Sequence, residues 1–196
     1  MTVLVIISNS ASRDNAAPSR DGGASISGVT SEPVAVRRAG HDDLSFLQEM
    51  LYEAANRPGE DWPDFETAIN EDRNRRFWVD WPREADIGVI AERNGACLGA
   101  AWIRRFEGHE LGPFDDPDVP VLAIGVVRDH RGRGVGGALM DALIVEARRS
   151  GVSKIALSTG LFNEAALRLY RRYGFNEVAR RGDGVRMVAV LDQQHT

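Results

Sequence analysis

Two periodicities of apolar residues divide the chain into strands and helices. Val121 to Val127 is a continuous apolar run rich in β-branched residues, which predicts a strand buried on both faces. From Val135, apolar positions recur at Ala138, Leu139, Ala142 and Leu143, the spacing of a helix with one buried face. Ile87 to Arg93 and Ala96 to Phe106 read as strands around Asn94-Gly95, a dipeptide that favours a two-residue hairpin turn. Val34 to Arg38 predicts a first strand. Leu44, Leu47, Met50, Leu51 and Ala54 then predict a helix behind the capping candidates His41-Asp42-Asp43. After the stop signal Ser150-Gly151, Lys154 to Ser158 alternates as a strand. Asn163 is placed to cap and Gly174 to end a further helix, whose Ala166, Leu169, Tyr170 and Tyr173 share a face. Phe175 to Arg180 and Val185 to Leu191 predict two last strands, joined across Gly182-Asp183-Gly184. The pattern is weakest between Glu60 and Glu84, where Trp62, Phe65, Trp78 and Trp81 stand among many charges and a helical piece is expected over Asp64 to Asn70. Closure of the core is a sufficient reading for each of the tryptophans.

The turn between the central strand and its helix holds Gly132, Gly134, Gly136 and Gly137 together with Arg128, Arg131 and Arg133. Backbone N–H groups at a helix N-terminus have no helical acceptor, and glycine lets a ligand approach them closely, so a phosphate or pyrophosphate is the expected guest. Gly132 to Gly137 also matches the dinucleotide pattern GxGxxG. That reading needs a carboxylate at the end of the next strand to hold a ribose, but the strand near Lys154 to Ser158 runs into Thr159-Gly160. Too little chain follows for the remaining strands of such a fold.

Length and composition narrow the class. At 196 residues, with 43% hydrophobic and 27% charged residues, the chain reads as one ordinary globular domain. Its net charge of −5 argues against a general nucleic-acid binder. The lone Cys97 excludes a disulfide framework, and His41, His109, His130 and His195 lack ligand spacing, so no metal is expected. No apolar run approaches the roughly 20 residues of a membrane span, and Val3 to Ile7 is short for a signal peptide. A cytoplasmic protein is the expectation. Residues 1–33 contain no aromatic and are rich in Ser, Ala, Gly and Asn, so a disordered extension is expected there, a domain over 34–191 and a short tail over 192–196.

Arg131-x-x-Gly134-x-Gly136, entered from an apolar strand, resembles the acyl-CoA pyrophosphate loop of the GNAT N-acetyltransferase superfamily. Asn163-x-x-Ala166-x-x-x-Tyr170 with the following Tyr173-Gly174-Phe175 resembles that family's next helix, in the expected order. The resemblance implies a single-domain α/β (α+β) fold, with a mixed, mostly antiparallel sheet of about six to seven strands flanked by helices. It implies transfer of an acetyl group from acetyl-CoA, without a metal, to a primary amine of a small molecule, protein or peptide. On this basis the cofactor-binding candidates are Val126 and Val127, whose backbone would polarise the thioester carbonyl, the loop Arg131, Gly132, Arg133, Gly134, Val135, Gly136 and Gly137 for the pyrophosphate, and Asn163 for the pantetheine. Arg168 or Arg171 is a further candidate for the outer phosphate, and Tyr170 is the implied general acid for the leaving thiolate.

The chain departs from the family at the start of the central strand, where Pro120-Val121-Leu122 stands in place of the usual glutamate base. Asp118 is nearest in sequence, with His109, Glu110, Asp115 and Asp116 in the same loop. The five carboxylates of that loop predict attraction for a cationic amine. The missing glutamate also motivates an alternative, an acyl-CoA-binding regulatory module with weak catalysis. The acceptor, and whether the protein forms a homodimer, stay open at this level.

Overall fold

The computed structural model of the chain describes residues 33–55, 62–112 and 115–191. Apart from Pro33, the expected N-terminal extension lies outside the described residues, as does the tail 192–196. Among the described residues no helix is long and apolar enough to cross a membrane.

Seven strands among the described residues form one sheet: β1 (Ala35–Arg38), β2 (Ile87–Arg93), β3 (Ala96–Arg104), β4 (Val121–Val126), β5 (Lys154–Gly160), β6 (Asn176–Arg181) and β7 (Gly184–Val190). Their order is β1-β2-β3-β4-β5-β7-β6, and every pairing is antiparallel except β4 with β5. The helices are α1 (Leu44–Ala55), α2 (Phe65–Asn70), α3 (Asp72–Arg75), α4 (Val135–Arg149) and α5 (Glu164–Arg172). The expected sheet and its strand count are therefore observed. Asn94 and Gly95 take φ angles of 51° and 75°, as a tight hairpin turn requires. The short α3 was not foreseen. Asp64 caps α2 by accepting from the Thr67 N–H at 2.9 Å, which is why the helix starts there.

Two glycines identify the faces of the sheet. Gly99 pairs with Val126 and Gly125 with Ala100, so Gly99 and Gly125 project to opposite faces. A Cβ on Gly99 would come within 3.2 Å of Leu139 in α4, whereas one on Gly125 would overlap the Met50 carbonyl of α1. Thus α4 covers one face and α1 the other, with β4 pressed against the α1 backbone. Leu47, Met50 and Leu51 fill the core on the α1 side, and Leu139, Met140 and Leu143 fill it on the α4 side. Tyr173, the C-cap of α5, shares its one hydroxyl proton between the Gly137 carbonyl at 2.9 Å and Asp141 at 2.8 Å, which ties α5 to α4.

On the α1 face, buried Arg104 of β3 forms an ion pair with Asp86 at 2.5 Å and donates to the carbonyls of Arg76 and Val79 at 3.0 and 2.7 Å. These bonds hold the segment after α3 against the sheet. Trp81 and Trp78 also serve the packing: their indole N–H groups reach the carbonyls of Gly40 and Ile69 at 3.0 and 2.9 Å.

The parallel pair β4 and β5 is registered at one place, Val121 with Ala156, where the Ala156 N–H donates to the Pro120 carbonyl at 2.9 Å. β4 then continues along β3 to Val126 while β5 continues along β7 to Gly160, so the sheet opens as a fork. Substitution Gly125→Ala tests the seat of this fork. Its methyl group must displace the α1 backbone, and an expected loss of about 1–3 kcal/mol should appear as a lower midpoint of thermal unfolding.

Candidate active site

The fork follows from hydrogen-bond alternation. The Val127 N–H donates to the Leu98 carbonyl at 2.9 Å, so Leu98 and Val127 form a bonded pair of the antiparallel ladder. Alternation then turns the N–H groups of Val126 and Ile124 away from β3 and toward β5, which is no longer in register. Of the two backbone amides expected to meet a thioester carbonyl, the one at Val127 is already bonded within the sheet. The one at Val126 lies on the open edge.

At the end of β4 the chain turns through Arg128–His130 and enters α4. Gly132 and Gly134 have φ angles of 70° and 85°, and a Cβ on either would meet nothing within 4 Å. Glycine is required at these two positions for backbone conformation rather than for lack of space. Gly134 is the N-cap of α4, and the Ala138 N–H makes the first helical bond to its carbonyl at 3.0 Å. The N–H groups of Val135, Gly136 and Gly137 precede that bond and form the anion-attracting end of the helix.

The loop arginines differ in role. Arg131 donates to the Val126 carbonyl at 2.9 Å and pairs with Glu53 of α1 at 2.8 Å, its side chain 8% exposed. Burial lowers its pKa while Glu53 opposes the shift. Its guanidinium therefore joins the turn to β4 and α1, and Arg128 and Arg133 are the exposed cations of the turn. Arg168 is exposed and pairs with Glu164 at 3.2 Å.

On the α5 side, Asn163 caps the helix by accepting from the Ala166 N–H at 3.2 Å, while its buried Nδ2 has no hydrogen-bond partner among the described residues. Tyr170 is fully buried beside Phe175, with ring centroids 5.8 Å apart, and its hydroxyl also has no partner there. Burial pushes the Tyr170 phenol above its ordinary pKa. Thr159, beyond the last β5 residue paired with β4, adds a third such atom, its Oγ1. A buried polar group without a partner costs about 1–3 kcal/mol, so this side of the fork is built to receive a polar ligand. An acyl-CoA fits: amides of its arm against the strand edge, its pyrophosphate at the helix end. The sequence held a signal for Thr159, a polar residue at the end of an otherwise apolar strand.

The loop before β4 carries less free negative charge than its composition predicts. Glu110 accepts two bonds from Arg83, at 2.7 and 2.9 Å, which hold its carboxyl below the usual range. Asp115 lies between Arg76 at 2.7 Å and Arg186 at 2.8 Å. Neither is a free base. Asp116 and Asp118 are exposed, and the Asp118 N–H donates to Asp116 at 2.9 Å. Arg76 and Arg186 escaped sequence reasoning, although an arginine between Val185 and Met187 in an apolar strand was a visible exception. A cavity of about 460 Å³ lies at the open end of β4, lined by Met50, Tyr52, Glu53, Phe65, Val127 and Arg128.

The Acetyltransferase (GNAT) family model matches residues 49–175, more than half of the chain. The chain belongs to this family. A mycothiol acetyltransferase of Propionibacterium freudenreichii is 35% identical over 109 residues, which cover 56% of this chain and 33% of that protein. An uncharacterized N-acetyltransferase of Methanocaldococcus jannaschii is 27% identical over 150 residues, covering 72% of this chain and 60% of that protein. The chain spans about a third of the length of the mycothiol acetyltransferase it matches, 33%. Among solved structures, a Salmonella typhimurium protein with acetyl-CoA as its cofactor aligns with a TM-score of 0.58 at 21% identity, over 83% of this chain and 96% of that one. The ribosomal-protein-S18-alanine N-acetyltransferase of Escherichia coli aligns with a TM-score of 0.57 at 22% identity, over 81% and 94%. These two likenesses are of fold.

Substitution Gly136→Val puts a branched side chain among the first-turn amides of α4 without disturbing a positive φ. The folded variant should bind CoA at least about tenfold more weakly by calorimetry, a loss of 1.4 kcal/mol or more, with an unchanged circular dichroism spectrum.

Proposed function

We propose that the protein transfers an acetyl group from acetyl-CoA to a primary amine. The observation that carries this reading is the open edge of β4, where the Ile124 and Val126 amides face a fork flanked by the buried, unpartnered polar atoms of Thr159, Asn163 and Tyr170. The amide edge aligns the pantetheine arm as an added strand. The Val126 N–H polarises the thioester carbonyl and stabilises negative charge on its oxygen. Gly132 to Gly137 hold the pyrophosphate, and Asn163 Nδ2 gains a partner from the arm.

The amine nitrogen attacks the carbonyl carbon. A C–N bond forms, the C–S bond breaks, and the sulfur leaves with the electron pair of that bond. Tyr170, kept protonated by its burial, gives its proton to that sulfur. Before attack the acceptor ammonium, with a pKa near 10 in its free state, loses one proton through water to Asp118, the exposed carboxylate just before β4. Once the C–N bond has formed, the nitrogen gives up a second proton, which passes through water to the Tyr170 phenolate and restores the phenol.

Acetyl-CoA offered with a panel of amines should give acceptor-dependent thiol release, and its absence with every amine overturns the reading. Tyr170→Phe should lower kcat by about a hundredfold and leave acetyl-CoA affinity unchanged. Because the folded phenol pKa is raised, Tyr170 stays a proton donor where a free phenol would ionise, so kcat should show no decline up to about pH 10.

A further inference from the structure

Arg76, Asp115 and Arg186 form a cluster whose side chains are 7%, 5% and 4% exposed. Two guanidiniums share one carboxylate, which leaves a net charge of +1 away from water. Arg76 Nη2 and Arg186 Nε are buried and have no hydrogen-bond partner among the described residues. Burial draws the Arg186 pKa down, Asp115 opposes that shift, and Arg76 adds to it. An uncompensated buried charge is strongly destabilising, so the cluster calls for an anion.

Its place in the fold says which anion. Val121 lies on the α1 face with Gly125, and its parallel partner Ala156 shares that face, as does Ser158 two residues on. Arg186, opposite Ser158 in register, donates to the Ser158 hydroxyl at 3.3 Å. The cluster thus stands beside the fork on the face opposite α4, whose N-terminus and tied helix α5 would take the donor. A cavity of about 280 Å³ opens onto Arg76 and is lined also by Arg73, Arg75, His109, Glu110 and Gly112. The lining also carries two carboxylates, Asp72 and Glu110; Glu110 is bound by Arg83 and Arg73 by Glu71, so its three arginines leave an excess of positive charge.

We propose that the acceptor is a free amino acid or a similarly small amine bearing a carboxylate, with Arg76 and Arg186 binding the carboxylate while the amine enters the fork. This rests on the acetyl-transfer reading above. Planar guanidiniums suit a carboxylate in geometry, and one carboxylate brings the local charge to zero. On this proposal the acceptor is a zwitterion, an ammonium that also carries a carboxylate.

The test compares amino acids with their carboxamides as acceptors. Wild type should favour the acid in kcat/KM by roughly a hundredfold or more. Arg186→Met should erase that preference, chiefly through KM for the acid, and keep acetyl-CoA affinity. It should also keep or raise thermal stability, because Arg76 and Asp115 remain as a neutral pair, whereas a purely structural cluster would lose stability. Carboxamides used as well as acids by wild type overturn this inference and leave acetyl transfer standing. If no amine is acetylated, acetyl transfer fails, and calorimetry of N-acetyl amino acids with the protein–CoA complex decides the inference separately. Binding weakened by Arg186→Met supports it, and absent or unchanged binding overturns it.

Discussion

Two parallel strands that pair at one residue and then part must leave backbone amides without partners, and this constraint organises the protein. β4 is laddered to β3 along its full length with its Gly125 pressed onto α1, and β5 is laddered to β7 from Lys154 to Gly160. Past their one shared register each strand follows its own neighbour, and the edge of Ile124 and Val126 stays open. An extended ligand with its own amide groups can complete that edge, which turns an interruption in the sheet into a binding groove.

Arginine plays three separate parts around this groove. Arg104 is matched by Asp86 and by backbone carbonyls, so its charge is satisfied and its work is mechanical. Arg131 is likewise matched, by Glu53 and the Val126 carbonyl, and fixes the turn that presents the first amides of α4. Arg76 and Arg186 share a single carboxylate, and although Arg76 also donates to the Glu110 and Arg73 carbonyls at 2.5 and 3.3 Å, each guanidinium keeps one buried nitrogen without a partner among the described residues. All of these side chains look alike in a count of charges. Only the ratio of carboxylates to guanidiniums, and the N–H groups left without an acceptor, separate the two kinds.

This difference explains what the sequence could disclose. Strands, helices and the hairpin at Asn94-Gly95 depend on local periodicity and turn chemistry, which the chain displays directly. The glycine turn was legible as well, and Gly132 and Gly134 carry its positive φ angles. The fork was not legible, because it depends on which strands become neighbours. Likewise, no local pattern shows that Glu110 meets Arg83, or that Asp115 meets residues 39 positions before it and 71 after it. A loop of five carboxylates therefore read as a field for cations, although its buried members were already neutralised. The alternation between the Val126 and Val127 amides also needs the β3 register, so sequence could only offer both.

The unsatisfied groups lie on both faces of the fork, and that distribution bears on how the molecule balances stability against function. On the α4 and α5 side they are neutral: Thr159 Oγ1, Asn163 Nδ2 and the Tyr170 hydroxyl. On the α1 side they are charged, at Arg76 and Arg186. A neutral orphan costs less to bury than a charged one, so the α4 and α5 side is preformed at a smaller cost than the α1 side. A ligand that binds only the folded state returns stability as the logarithm of its concentration over Kd, about 2.7 kcal/mol at a hundredfold excess. The face with the larger deficit gains more from its own partner. A ligand lacking the matching group leaves that charge as it was, so discrimination among ligands is greatest where the unpaired charge lies.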